Sequence, residues 1–393
     1  MPRALPPSPE PFLLLDDARP EGVGARLYRD PVGEVVARTP EEVRPALEAL
    51  RDAGRRGLHV AGYMRYEAGY ALEPALAKLA TTTRADEAPL LWFGLFPDCT
   101  TRLDRADVPA LLPAPEREGH GTARPLLDAA SHGEALDHVL SRIRAGDIYQ
   151  ANLTMAAQVP LTVDPLAAYA AIRPRAAMGH GALIRQGGRH ILCFSPESFF
   201  AVTDGLVETR PMKGTAPRHA DPAEDARAAA DLRSDPKQRA ENLMIVDLIR
   251  NDLSRVCRPG TVRVPDLFTV ESYPTVHQMT SRVTGRLSAG LDAIDALAAL
   301  FPCGSVTGAP KIQAMKIIAD IERHRRGVYT GSIGSIDPDG NARFNVAIRT
   351  ISLEKDSACG VMGIGSGIVA DSRAGAEWNE CLDKARFLER PDE

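Results

Sequence analysis

The run Gly360-Val-Met-Gly363-Ile-Gly365-Ser-Gly367-Ile-Val-Ala-Asp371 constrains the fold more than any other segment of this chain. Read as a strand, its period of two sends Gly363, Gly365 and Gly367 to one face and Met362, Ile364, Ser366 and Ile368 to the other. One face is therefore bare backbone. Either a ligand or a second backbone lies on it, and the pattern alone favours neither.

The surrounding periodicity gives further β-rich runs at 150–160, 190–203, 206–212, 328–336, 343–353 and 359–369. Helical signals stand between them. Ser131 to Glu134 has the spacing of a capping box, and Leu136, Val139, Leu140 and Ile143 follow on one face until Gly146. Ser234-Asp235-Pro236 opens a second helix reaching about Val256, with proline at its first position. A third begins near Pro310 and buries Ala314, Ile317, Ile318 and Ile321, and a last one follows Asp371-Ser372. Helices and strands do not alternate strictly, so a doubly wound parallel sheet is not indicated. The expected class is α+β, with large mixed or antiparallel sheets and outer helices.

The 393 residues suffice for two or three modules or one two-lobed unit. Prolines, glycines and charges concentrate between Asp107 and Pro125, as in a surface linker. The division expected is a β-rich N-terminal region over 1–107 packing on the catalytic part, a linker over 108–127 and a catalytic domain over 128–393.

Charge and cysteine usage exclude several functions. Lys plus Arg number 47 against 52 Asp plus Glu, a net charge of −5, and no basic run occurs, so no nucleic-acid partner is expected. No stretch of 18 apolar residues and no signal-peptide run is present, so no membrane anchoring is expected. Six cysteines stand far apart with no C-x-x-C pair, which reads as reduced thiols in the cytoplasm.

Four segments carry groups able to do chemistry. Phe301 to Lys311 places small residues, including Ser305 and Thr307, just before a helix, where free N–H groups suit a carboxylate or phosphate; a plain helix start is the alternative. Its spacing is not that of a Walker loop. Glu241 falls beside Met244, Ile245 and Leu248 on the apolar face of its helix, where a carboxylate needs a metal or a cation. Glu377, Glu380 and Lys384 share a face of the last helix, with Glu380 and Lys384 in surface ion-pair spacing. Carboxylates from separate helices without clustered His or Cys suit Mg²⁺. Glu197, in Ser195-Pro-Glu197-Ser-Phe, is a carboxyl between apolar strands whose raised pKa would make it a general acid. Lys213, in Arg210-Pro-Met-Lys213-Gly214-Thr215, is a lysine near a cation that would act as a nucleophile. A structural ion pair is the alternative for both.

Taken together, these segments resemble the chorismate-utilising enzymes, which include anthranilate, aminodeoxychorismate, isochorismate and salicylate synthases. The resemblance spans about 130–390 and rests on Gly146-Asp-Ile-Tyr-Gln150-Ala-Asn152-Leu-Thr154, Ser195-Pro-Glu197, Pro211-Met-Lys213-Gly214-Thr215, Glu241-Asn-Leu-Met-Ile-Val-Asp247, Phe301 to Lys311, Tyr329, Arg349, the glycine strand and Glu377-Trp-Asn-Glu380. Residues 1–105 match more loosely, through Tyr66-Glu67-Ala68-Gly69-Tyr70.

What the resemblance implies is specific. The fold becomes a two-lobed sandwich like that of anthranilate synthase. Glu241 and Glu380 fall on the family's Mg²⁺ ligands, the metal holding the ring carboxylate of chorismate. Tyr329, Arg349 and the backbone near Gly363 and Gly365 match the groups binding the enolpyruvyl carboxylate. Glu197 matches the acid that protonates the departing 4-hydroxyl, and His277 a histidine near the reacting ring. Ser305, Thr307, Gly214, Thr215 and Gln150 complete the expected substrate-binding set. Anthranilate-forming relatives carry alanine where this chain has Lys213, and 4-aminating relatives carry lysine. Isochorismate and salicylate synthases carry a water-activating lysine where this chain has Gln150. The expectation is amination of chorismate at C4 with ammonia, free or from a separate glutamine amidotransferase subunit, since no glutaminase G-x-C-x-G elbow occurs in the sequence. Anthranilate synthesis is the alternative. The tryptophan-binding Leu-Leu-Glu-Ser of feedback-inhibited relatives is replaced by Leu14-Leu15-Asp16-Asp17.

Overall fold

The computed structural model describes residues 5, 10–97, 101–115, 119–176, 178–273 and 276–389. Cys99 and part of the 108–127 stretch lie outside them. Among the described residues the strands form two ten-stranded sheets, and every pairing is antiparallel. The first sheet runs, in spatial order, through Gly308–Ala309, Gln150–Pro160, the glycine strand Cys359–Ile368, Thr350–Leu353, Arg189–Cys193, Gly181–Gln186, Phe12–Asp17, Gly24–Arg29 and Thr101–Leu103. The second runs through Met212–Pro217, Val276–Arg286, Leu206–Thr209, Ser198–Thr203, Ala342–Asn345, Ser332–Ile336, His59–Met64, Leu91–Phe96 and Gly33–Ala37.

The sheets face each other through one apolar layer. Leu13, Tyr28, Ile184 and Ile191 of the first sheet pack with Tyr63, Trp92, Phe96 and Ile333 of the second. The opposite faces are covered as well. Val60, Met64, Leu91 and Phe93 pack beneath the helices Pro40–Arg55, Pro236–Ser254 and Ala293–Leu300. Phe12, Leu14, Leu183 and Leu192 pack beneath Pro165–Ala176. Burial on both faces explains why Leu13-Leu14-Leu15 reads as an unbroken apolar run although its pairing is antiparallel, a context in which one solvated face usually gives alternation.

The N-terminal 107 residues do more than pack on the catalytic part. Phe12–Asp17 pairs with Gly181–Gln186, and His59–Met64 pairs with Ser332–Ile336, so this segment extends both sheets. Within 108–127, Val108, Leu111 and Leu112 are buried in the core beside the first sheet, so its Pro- and Gly-rich composition does not end the packing there.

The helices fall close to the expected places. The first expected one spans Ala129–Arg144, and its N-cap is Asp128, whose carboxylate accepts from the Ser131 N–H at 2.8 Å. Ser131 is thus the third residue of the helix and receives the cap's bond instead of making it. The second spans Pro236–Ser254 and is capped by Asp235 as read. The third spans Lys311–Ile321 and the last Ala374–Asp383. The run at 190–203 divides into Arg189–Cys193 and Ser198–Thr203, which belong to different sheets. That division shapes the site.

Candidate active site

A cavity of about 580 Å³ opens where the glycine strand, the Met212–Pro217 edge strand and the helices Pro236–Ser254 and Ala374–Asp383 converge. Gly363, Gly365 and Gly367 all line it. Their bare face is met by side chains of other elements at two positions. A Cβ on Gly363 would lie 1.9 Å from the Tyr329 ring, so a neighbouring side chain takes that space. A Cβ on Gly367 would stand 3.1 Å from the Gln150 amide nitrogen and 3.5 Å from Lys213 Nζ, so here the missing side chain brings reactive groups together.

Glu197 sits in the crossing between the sheets. Ser195, fully buried, donates to the Val346 carbonyl at 2.6 Å and accepts from the Glu197 N–H at 3.1 Å, and Val346 N–H returns to the Glu197 carbonyl at 3.1 Å. These bonds tie the loop to the Val346 backbone. The Glu197 side chain accepts from the Ser305 hydroxyl at 2.7 Å. Burial pushes its carboxyl up, against opposing pulls from the Ser305 bond, Lys213 and Lys384.

Lys213 occupies an irregular stretch of edge strand. Pairing with Val276–Arg286 slips between Met212 and Thr215, and Gly214 has φ +95°, a conformation few other residues adopt without strain. This bulge turns Lys213 into the cavity. Gly214 and Thr215 line the wall beside it and are held by Gln278, whose amide donates to the Gly214 carbonyl at 2.8 Å and accepts from the Thr215 hydroxyl at 3.1 Å. Burial pulls the Lys213 ammonium down, helped by Lys384 and opposed by Glu197, Glu241 and Glu380. Arg210, expected to be the neighbouring cation, instead pairs with Glu271 at 3.2 Å and Glu208 at 3.6 Å at the surface. Lys384 takes that place. It donates to the Gly365 carbonyl at 2.7 Å and to Glu380 at 2.8 Å, so the spacing read as a surface ion pair belongs to the cavity wall.

Tyr329 and Arg349 complete the wall around Gly363. Burial raises the tyrosine hydroxyl far above its ordinary value, which keeps it a neutral donor. Arg349 is held at φ +49°, a strained value for a non-glycine residue, and only burial acts on its guanidinium, with no counter-charge nearby. Its guanidinium lies 5.8 Å from the Phe387 ring, and no carboxylate among the described residues pairs with it, so this half-buried cation suits a carboxylate ligand. Glu241 and Glu380 reach the same cavity from separate helices. Glu241 is pushed up by burial, with Lys213 and Lys237 opposing and Asp371 and Glu380 adding repulsion. Nearby, Glu377 accepts from the Ser372 hydroxyl at 2.7 Å through one oxygen while the other is buried without a partner. This oxygen-only donor set fits a hard divalent cation, although no group of three or more His, Cys, Asp or Glu forms a preassembled site among the described residues.

Three expected residues stand apart from the cavity. His277 is buried on the other face of its strand, with ring nitrogens 2.9 Å from Asp225 and 2.8 Å from Ser272, because strand alternation gives the cavity to Gln278. Thr307 is buried, and its hydroxyl donates to the Cys303 and Gly304 carbonyls at 3.2 Å, shaping the loop that presents Ser305. Gln150 is absent from the cavity lining although its amide nitrogen reaches the bare face of Gly367, and both its amide atoms are unpartnered among the described residues. Leu15, Asp16 and Asp17 line a second cavity of about 620 Å³. Both aspartates there are engaged, Asp16 with Tyr169 and Arg173 and Asp17 with Arg19.

A family model described as chorismate binding enzyme matches residues 10–390. The aminodeoxychorismate synthase component 1 of Klebsiella aerogenes is 43% identical over 257 residues, covering 65% of this chain and 56% of that protein. The anthranilate synthase component 1 of Streptomyces coelicolor is 44% identical over 296 residues, covering 73% and 57%. The chain thus spans little more than half the length of these curated relatives. In structure, it superposes on anthranilate synthase component I from Streptococcus pneumoniae with a TM-score of 0.80 and 26% identity, covering 99% of this chain and 94% of that one. The chain belongs to the chorismate binding enzymes.

Proposed function

We propose that this chain aminates chorismate at C4, giving 4-amino-4-deoxychorismate of the kind used for para-aminobenzoate and folate synthesis. The observation that carries the reading is Lys213 in the same cavity as Glu197, at the position where anthranilate-forming members carry alanine. An exposed lysine with pKa near ~10.4 is neutral in only about one molecule in a thousand at pH 7. Burial and Lys384 shift Lys213 towards the amine, while burial shifts Glu197 towards the acid. A base ready to attack and an acid ready to protonate thus share one cavity.

In the first step Lys213 Nζ bonds to C2 of the ring, the double bonds shift, and the C4–O bond breaks as Glu197 gives its proton to the departing hydroxyl. In the second, ammonia bonds to C4, the double bonds shift back, and the C2–N bond to Lys213 breaks. Arg349 and Tyr329 orient the enolpyruvyl carboxylate. Glu241 and Glu380 would hold Mg²⁺, which supplies positive charge for the ring carboxylate. Ammonia is taken from solution or from a glutamine amidotransferase partner.

Anthranilate formation, by ammonia attack at C2 and loss of pyruvate, is the second reading, favoured by the equal likeness to an anthranilate synthase component 1. Mass spectrometry of the product from chorismate, Mg²⁺ and ammonium separates the two. The 4-amino compound is expected, and anthranilate as the sole product would overturn the first reading.

A further inference from the structure

Arg326 lies three residues before Tyr329 and is buried together with Glu322, their side chains 1% and 3% exposed. Its guanidinium places four of its five N–H groups. Nε and Nη2 donate to the two oxygens of Glu322 at 2.8 and 2.7 Å, Nη1 donates to the Val306 carbonyl at 2.7 Å, and Nη2 also donates to the Asn152 carbonyl at 2.6 Å. Glu322 accepts in addition from the Thr154 N–H and hydroxyl at 2.8 and 2.9 Å.

Each anchored point supports the cavity. Asn152 and Thr154 are the register partners of Gly367 and Gly365 in the glycine strand. Val306 follows Ser305, the residue bonded to Glu197. The Tyr66 ring lies 4.5 Å from the guanidinium, Glu67 accepts from the Gly327 N–H at 3.1 Å, and a Cβ on Gly69 would stand 2.6 Å from Pro302. The Tyr66-Glu67-Ala68-Gly69 motif, which the proposed chemistry leaves unused, thus backs this network and the loop bearing Ser305.

Stability alone is a poor reason for such a pair. A buried ion pair is commonly matched or bettered by apolar residues of the same volume. What apolar residues lack is a direction for the Asn152 and Val306 carbonyls. We propose that Arg326, locked by Glu322, is a positioning residue that fixes the glycine wall and the Ser305 loop so that Glu197 and Lys213 face one substrate. The proposal rests on chorismate turnover in this cavity, whichever carbon is aminated.

The test is the double variant Glu322→Gln with Arg326→Met, which removes both charges at similar volume. Chorismate consumption, followed with saturating ammonium, should lose about 10²-fold in kcat, the scale of a misplacement near 1 Å, with KM moving far less. The limb of the pH profile belonging to Glu197 should also move upward as the Ser305 bond loosens, a change that lower stability would not produce. A folded double variant with wild-type kcat and pH profile overturns the proposal. Should it not fold, Arg326→Lys is read the same way, and failure of both to fold makes the pair a folding element and equally overturns the positioning role. Wild-type protein yielding anthranilate would sink C4 amination while leaving this comparison intact.

Discussion

Lys213 and Glu197 are shifted in opposite directions by the same cause, burial, and both shifts favour the uncharged form. Lys213→Ala should fold and bind chorismate, because relatives accommodate alanine there, yet lose about 10²-fold or more in 4-amination, as expected when a nucleophile is removed. Wild-type protein given chorismate without ammonia should carry a mass adduct on the Lys213 peptide. Undiminished 4-amination by the variant, with no adduct on the wild type, would reduce Lys213 to an electrostatic contact. Glu197 also has a signature in stability. Its folded pKa is raised above the unfolded value near ~4.3, so its contribution is complete below that value and is lost as pH rises through the folded one. Thermal melts should therefore show Glu197→Gln gaining on the wild type as pH rises above the unfolded value, and a gap independent of pH would contradict the burial argument.

The glycine strand and the last helix act as units because each brings several groups to one wall. Gly363→Ala drives a methyl into the Tyr329 ring and should cost ~2–3 kcal/mol or more in a denaturant melt, the upper range for overpacking. Gly375→Ala, in the first turn of the last helix where nothing lies within 4 Å, is the control and should be neutral to slightly stabilising. On the helix, Glu380→Gln should abolish Mg²⁺-dependent turnover while leaving the melting temperature in chelator unchanged, since the rest of the helix stays packed. Lys384→Ala should keep the metal dependence. By removing a like charge near Lys213, it should instead move the Lys213 limb of the pH–rate profile to higher pH. Identical behaviour of the two variants, with metal affinity untouched, would mean that Glu380 and Lys384 form only an ion pair.

Both sheets continue through strands from the first 107 residues, and the layer between the sheets is built from both parts of the chain. Residues 108–393 expressed alone would leave Gly181–Gln186 and Ser332–Ile336 as unpaired edges with Ile184, Ile191 and Ile333 uncovered. Aggregation, or a loss of cooperative unfolding by circular dichroism, is the expected outcome. A soluble fragment melting like the full chain would show that the linker does separate two folding units. The described lining of the cavity begins at Asn152, and the N-terminal part of the chain meets the elements behind it through Tyr66, Glu67 and Gly69.

Much of this was legible before any coordinates, because local chemistry writes it into neighbouring residues. Period-two glycines gave the bare wall, Asp235-Pro236 gave the start of a helix, and Lys213 beside Gly214 gave a candidate nucleophile, whose backbone irregularity appears only in the fold. What remained hidden depends on contacts between distant segments. The face His277 takes follows from alternation along an interior strand, which gives Gln278 to the cavity, and that face can be assigned only once the strand's neighbours are known. The cation beside Lys213 is Lys384, 171 positions later in the chain, while Arg210, three positions away, points to surface carboxylates. Sequence spacing reports neighbours along a helix or strand. Which side chains meet across sheets is set by packing, and here it is packing that brings Lys213 and Glu197 to one cavity and leaves His277 outside.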